Sequence, residues 1–184
     1  MAMAERVRPC PADGLEIEVA WMESDGATPN NPRLPALVLR GALPPGAGPD
    51  AVRALMEENG WGGSWTWTVY PFHHYHDDAH EVLAVTGGWA GLVLGGAGGR
   101  TIHVVAGDVL VLPAGTGHCR KADDDGFEVC GAYPLGQEGP AILRPGDADH
   151  DAAAARIARL PLPESDPIYG RDGPVVRLWR EAAG

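Results

Sequence analysis

The sequence predicts an all-β fold: an antiparallel sandwich or barrel with one or two short flanking helices. Three observations carry this. Short apolar or alternating runs recur between residues 62 and 133, separated by Gly-rich turns. The chain holds 26 glycines and 17 prolines, which suits many strands joined by turns better than a helical bundle. Before the tail, only residues 49–59 carry a convincing helical pattern.

The elements follow in order. Residues 15–21 alternate apolar and polar and read as an edge strand or arm, and residues 35–40 as a short strand. Residues 43–48 are a Pro/Gly loop. The helix over 49–59 opens on Pro49 and Asp50, places Val52, Leu55 and Met56 on one face and stops at Gly60. From Gly62 the period becomes two. Trp65, Trp67 and Val69 fall on one face, and Thr66, Thr68, Tyr70, Phe72, His74 and His76 on the other. This holds if the strand is unbroken; a bulge at Pro71 would shift the parity. A turn at Asp77-Asp78 leads to strands over 81–86, 89–94, 101–105, 108–112 and 127–133, with Gly-rich turns at 87–88 and 95–99. The loop over 95–99 lacks the Lys-Ser/Thr ending of a phosphate loop. In the tail, residues 149–160 read as a short Ala-rich helix, 162–170 as an extended Pro-rich stretch and 175–179 as a final strand. Neither repeats nor a clear linker divide the chain, so one domain over 1–184 is expected: barrel core about 62–135, N-terminal arm and helix 1–61, C-terminal extension 136–184.

Composition narrows the partners. A formal charge of −11 argues against nucleic acid, whose phosphates need a basic surface. No apolar stretch is long enough to span a membrane, and the first eight residues lack a signal-peptide core. Three scattered cysteines, Cys10, Cys119 and Cys130, with no C-x-x-C, point to reduced thiols and a cytoplasmic setting. A small molecule is the expected partner.

The chemistry concentrates in residues 71–81, PFHHYHDDAHE, which hold four of the seven histidines. His74 and His76 are two apart, so on a strand both imidazoles share a face. Glu81 follows after four intervening residues, at the head of an apolar strand. Further on, Gly107-Asp108 turns into another apolar strand, and Pro113 and Gly115 bend the chain so that His118 can return toward the barrel. Two imidazoles and a carboxylate from one hairpin, with a third imidazole from another, make a candidate mononuclear metal site. Three neutral imidazoles and one carboxylate suit a divalent transition metal: Fe, Mn, Ni, Co or Zn. His73 has the wrong parity for a ligand. His80 belongs behind the ligands or at the surface, and His103 and His150 at the surface. Cys119 points away from His118; Cys130, on a later strand, is placed to line the barrel.

These positions resemble the two motifs of the cupin superfamily. The first, G-x5-H-x-H-x3,4-E-x6-G, is met by His74, His76, Glu81 and Gly88, with Thr68 in place of the opening glycine. The second, G-x5-P-x-G-x2-H-x3-N, is met by Gly107, Pro113, Gly115 and His118, with Ala122 in place of the closing asparagine. Both departures fall at non-ligand positions. A smaller group of uncharacterised bacterial cupins shares the H-x-H-x4-E-V-L run, a G-A-Y-P stretch (131–134) and a P-L-P-x-x-D-P-x-Y-G tail (161–170). The resemblance implies an antiparallel double-stranded β-helix, or jelly-roll barrel, with metal ligands His74, His76, Glu81 and His118. It implies a metalloenzyme of dioxygenase or isomerase type; the residues themselves offer Tyr70, His80 and Tyr133 as the candidate catalytic groups. The alternatives are a non-catalytic metal- or ligand-binding cupin, serving as sensor or store, and a dimeric scaffold. A homodimer is implied by the same resemblance.

Overall fold

A computed structural model describes residues 6–184 and sorts nine strands into two antiparallel sheets. The reading of residues 1–8 therefore lies largely outside the described residues. The larger sheet runs β1 (Ile17–Ala20), β2 (Ala36–Leu39), β7 (Val109–Leu112), β4 (Glu81–Gly87), β9 (Glu128–Pro134) and β3 (Trp61–Trp67). The smaller runs β6 (Arg100–Val105), β5 (Trp89–Leu94) and β8 (His118–Asp123). Chain order and sheet order interleave, as in a jelly roll.

Strands β2 and β7 are buried at every residue, because the larger sheet is covered on both faces. Its inner face, with Leu83, Val85, Leu110, Leu112 and Val129, meets Ala90, Leu92, Leu94 and Ile102 of the smaller sheet. Its outer face, with Leu37, Leu39, Val82, Ala84 and Val111, packs under Val52 and Met56 of α1 (Pro49–Glu58) and Val175 and Trp179 of α3 (Pro174–Ala183). Such strands read as continuous apolar runs rather than alternation, which is how residues 82–85 and 109–112 look in the sequence. A further helix, α2 (His150–Arg159), is capped by the Asp149 side chain, which accepts from the Ala152 N–H at 2.8 Å. No helix among the described residues is long and apolar enough to cross a membrane.

Three local expectations need correction. Residues 175–179 are not a strand. Pro174 starts a helix after Gly173, and Val175, Val176 and Trp179 are buried on it; the β-branched pair mimicked a strand. Among the described residues the helices thus number three. Strand β8 went unread because its last residues are polar and exposed. And β3 ends at Trp67; residues 68–73 leave the sheet, so the alternating parity does not carry through to His74.

Candidate metal centre

His74 and His118 face each other across the barrel mouth. The His74 N–H donates to the His118 carbonyl at 3.1 Å, and the His118 N–H returns the bond at 2.9 Å. The His76 carbonyl is tied to the Gly115 N–H at 2.7 Å. Gly115 has φ 89°, and a Cβ there would lie 2.4 Å from the Asn30 carbonyl oxygen, so only glycine makes this turn. Glu81 opens β4 opposite Leu112 and faces inward, as do Leu83 and Val85 after it.

The result is one buried cluster. Ring nitrogens of His74, His76 and His118 lie within 4.8 Å of one another. Glu81 Oε2 comes 3.0 Å from His118 Nε2 and 3.4 Å from His76 Nε2. All four residues are 6 % exposed or less. Backbone carbonyls fix the tautomers. His74 Nδ1 meets the Phe72 oxygen at 3.0 Å, His76 Nδ1 the Ala141 oxygen at 2.7 Å and His118 Nδ1 the Thr116 oxygen at 3.0 Å. A carbonyl oxygen only accepts, so each Nδ1 carries the proton and each neutral ring turns a bare Nε2 inward. Glu81 Oε2 is buried without a hydrogen-bond partner. Its short approach to His118 is therefore two lone pairs facing each other, which needs a proton or a cation between them.

That donor set, three imidazole nitrogens and one carboxylate oxygen with no hydrogen among them, fits a divalent ion. Glu81 is held from behind: the Tyr133 hydroxyl donates to its Oε1 at 3.3 Å and accepts from Trp65 Nε1 at 2.9 Å. The electrostatics agree. Burial, reinforced by the neighbouring His118, drives the His74 imidazole down to about 3. Burial pushes the Glu81 carboxyl up, but His76 and His118 more than offset it and hold it well below the usual carboxylate range. Burial also opposes charge on His76, yet Glu81 beside it raises that imidazole above its ordinary value. A proton and a cation thus compete for one place.

The remaining candidates divide. Tyr70 lines the cavity above the cluster, its ring 5.3 Å from that of His74. Tyr133 lines it too, but its hydroxyl is committed on both sides; burial and Glu81 raise its pKa above the ordinary value. His80 is turned elsewhere. Its Nδ1 accepts from the Ala114 N–H at 2.9 Å, its Nε2–H meets the Pro161 oxygen at 3.2 Å, and its ring lies 5.0 Å from that of Trp179. It precedes Glu81 and projects to the opposite face of β4, which removes it from the catalytic candidates. Cys130 sits in the outer layer with Val82 and Ala84 rather than lining the barrel, and burial raises its thiol. Cys119 is buried on β8, and its thiol is likewise raised by burial. His103 stacks on Trp89 at 5.4 Å at the surface, and His150 contacts Ser24 Oγ at 2.7 Å.

The cavity measures about 320 Å³. Trp65, Trp67, Leu83 and Ile142 also line it, and sequence reasoning missed them. Leaving the sheet after β3 brings the two tryptophans to the histidines' side. The available signal was Gly131: a Cβ there would stand 2.1 Å from the Trp65 indole, so the glycine lets the ring lie against β9.

Two antiparallel sheets wound into a jelly roll, with the His/Glu cluster at one mouth, define a cupin. The chain belongs to the family of YjlB, an uncharacterized protein of Bacillus subtilis (strain 168): the two are 34 % identical over 165 residues, covering 89 % of this chain and 97 % of the relative. No family model matches the chain. Among solved structures it is similar to an acireductone dioxygenase from Bacillus anthracis with a cadmium ion in its active centre. There the identity is 17 % and the TM-score 0.36, over 50 % of this chain and 62 % of that one. It is also similar to an uncharacterized conserved protein with a double-stranded β-helix domain from Klebsiella pneumoniae. In that case the identity is 16 % and the TM-score 0.34, over 73 % of this chain and 84 % of that one. Both likenesses are distant, and the reading of the site rests on its own geometry.

Proposed function

We propose that this chain is a metal-dependent enzyme acting on a small molecule, of dioxygenase or isomerase type, with one divalent ion held by His74, His76, His118 and Glu81. One observation carries the reading: backbone carbonyls take the Nδ1 atoms of three imidazoles, which leaves their Nε2 atoms as inward acceptors, and the partnerless Glu81 Oε2 stands among them. When bound, such an ion supplies a Lewis-acid or redox centre for a substrate oxygen. The chain's own groups do the rest. The carbonyls of Phe72, Thr116 and Ala141 fix the imidazole orientations, Tyr133 fixes Glu81, and the tryptophan-rich wall gives the substrate an apolar surface above the cluster.

A second reading, binding without turnover, draws on one observation. With the Tyr133 hydroxyl committed and His80 turned away, Tyr70 is the remaining ionisable wall group outside the cluster. Metal analysis of the purified protein comes first. One divalent ion per chain is expected, lost in His76→Ala and in His118→Ala; a wild-type protein that takes up no ion from Fe(II), Mn(II), Co(II), Ni(II) or Zn(II) would overturn both readings. Oxygen uptake or substrate isomerisation by Fe(II)-loaded protein then selects the enzyme, and tight ligand binding with no turnover across a broad screen selects the binder.

A further inference from the structure

We infer that the ligand of this cavity is a small, flat, largely apolar molecule with its oxygen donors gathered at one end. The inference rests on the metal centre proposed above and adds what the wall demands. At about 320 Å³ the cavity is at the small end of those that hold ligands. Above the cluster its wall is Trp65, Trp67, Val69, Tyr70, Leu83 and Ile142, with no Lys, Arg or Asp among the lining residues. The polar atoms of Trp65 and Tyr133 are already spent on each other and on Glu81. Thr68 Oγ1 is buried without a partner, and the wall adds the Trp67 indole N–H and the Tyr70 hydroxyl, which leaves room for a few neutral polar atoms on the ligand body.

Recognition of charge is thus confined to the floor. A divalent ion with the Glu81 carboxylate leaves a formal charge of +1 there, which one anionic head group neutralises. A second carboxylate on the ligand would enter an apolar wall with no cation to meet it and would lose its hydration uncompensated. A sugar or polyol would leave most of its hydroxyls unpaired against indole and aliphatic groups. A flat ring does the reverse: it buries its faces against aromatic and aliphatic groups and gains contact with Trp67 and Tyr70, whose own rings stand edge to face at 5.1 Å.

Two hydroxamates test this, since benzohydroxamate and acetohydroxamate share one oxygen-donor head and differ as phenyl against methyl. Purified protein is loaded with Co(II), its metal content measured, and each probe titrated by the Co(II) visible bands and by tryptophan fluorescence. Benzohydroxamate should bind at least about ten-fold more tightly than acetohydroxamate, from the apolar area it buries, and more tightly than oxalate. Trp67 is 54 % exposed, so truncating it leaves the core intact. Trp67→Ala should keep Co(II) uptake and acetohydroxamate affinity while losing most of the phenyl advantage, and Trp67→Phe should keep that advantage. Equal affinities for the two hydroxamates, or preference for oxalate, on protein holding one Co(II) per chain would overturn the ligand assignment and leave the metal centre standing. Failure to take up Co(II) at all would overturn the centre and the ligand assignment together.

Discussion

His80 and the three inward histidines show how a neighbouring backbone decides what an imidazole is for. In His74, His76 and His118 a carbonyl takes the Nδ1 proton, and Nε2 is left bare toward the cavity. In His80 an amide N–H occupies Nδ1, so the proton sits on Nε2 and both nitrogens are consumed. His80 is buried, and burial lowers its pKa from 6.5 to about 4. The fold therefore favours the neutral ring. Its stabilising contribution is fully present above the unfolded value near 6.5 and is lost as the pH falls toward about 4, where the folded form also protonates. In urea titrations of metal-free protein across that window the wild type should lose roughly 3 kcal/mol more than His80→Gln, over a background shared by both that His74 contributes. The H-x-H and Glu spacing was legible because a motif is a pattern of residue types at fixed spacing; the strand parity expected up to His74 was not what placed it. The carbonyls that set the tautomers were not: Phe72, Thr116 and Ala141 contribute backbone atoms, which every residue carries.

At the scale of the element, α3 is the part that sequence periodicity misassigned. Residues 175–179 contain two adjacent valines, and a five-residue run with four apolar residues around Arg177 cannot distinguish a strand from a buried helical face. What decides is the partner. Trp179 is fully buried in the outer layer against the larger sheet, and its Nε1 donates to the Pro35 oxygen at 2.9 Å. Trp179→Ala should cost about 3–5 kcal/mol, read as a lowered urea midpoint with an unchanged slope; a loss below about 1 kcal/mol would mean that α3 is not integral to the core. By contrast, α1 and most strands of the barrel, β8 excepted, were legible, since Pro49, Gly60 and the Gly-rich turns punctuate them locally.

On the scale of the whole molecule, the candidate ligands come from both sheets. Glu81 opens β4 in the larger sheet, His118 opens β8 in the smaller, and His74 and His76 lie on the segment between β3 and β4. An ion held by all four would fasten the sheets together and bind the native state alone. Loading with Zn(II) at a thousand-fold excess over its Kd should stabilise the protein by about 4 kcal/mol, a rise in Tm of roughly 10 °C for a chain this long. A chelator should reverse the rise, and His118→Ala should show little of it. The convergence of two distant motifs was legible in the sequence. The layer of helices outside the larger sheet was not, because nothing in a buried strand says which of its faces meets a helix. Strand β4 serves both interiors at once: Glu81, Leu83 and Val85 look toward the barrel, Val82 and Ala84 toward the helices. Deleting or inserting one residue between Glu81 and Val85 would exchange the two sets and carry the carboxylate out of reach of the imidazoles. Its length, more than its composition, is what this strand cannot vary.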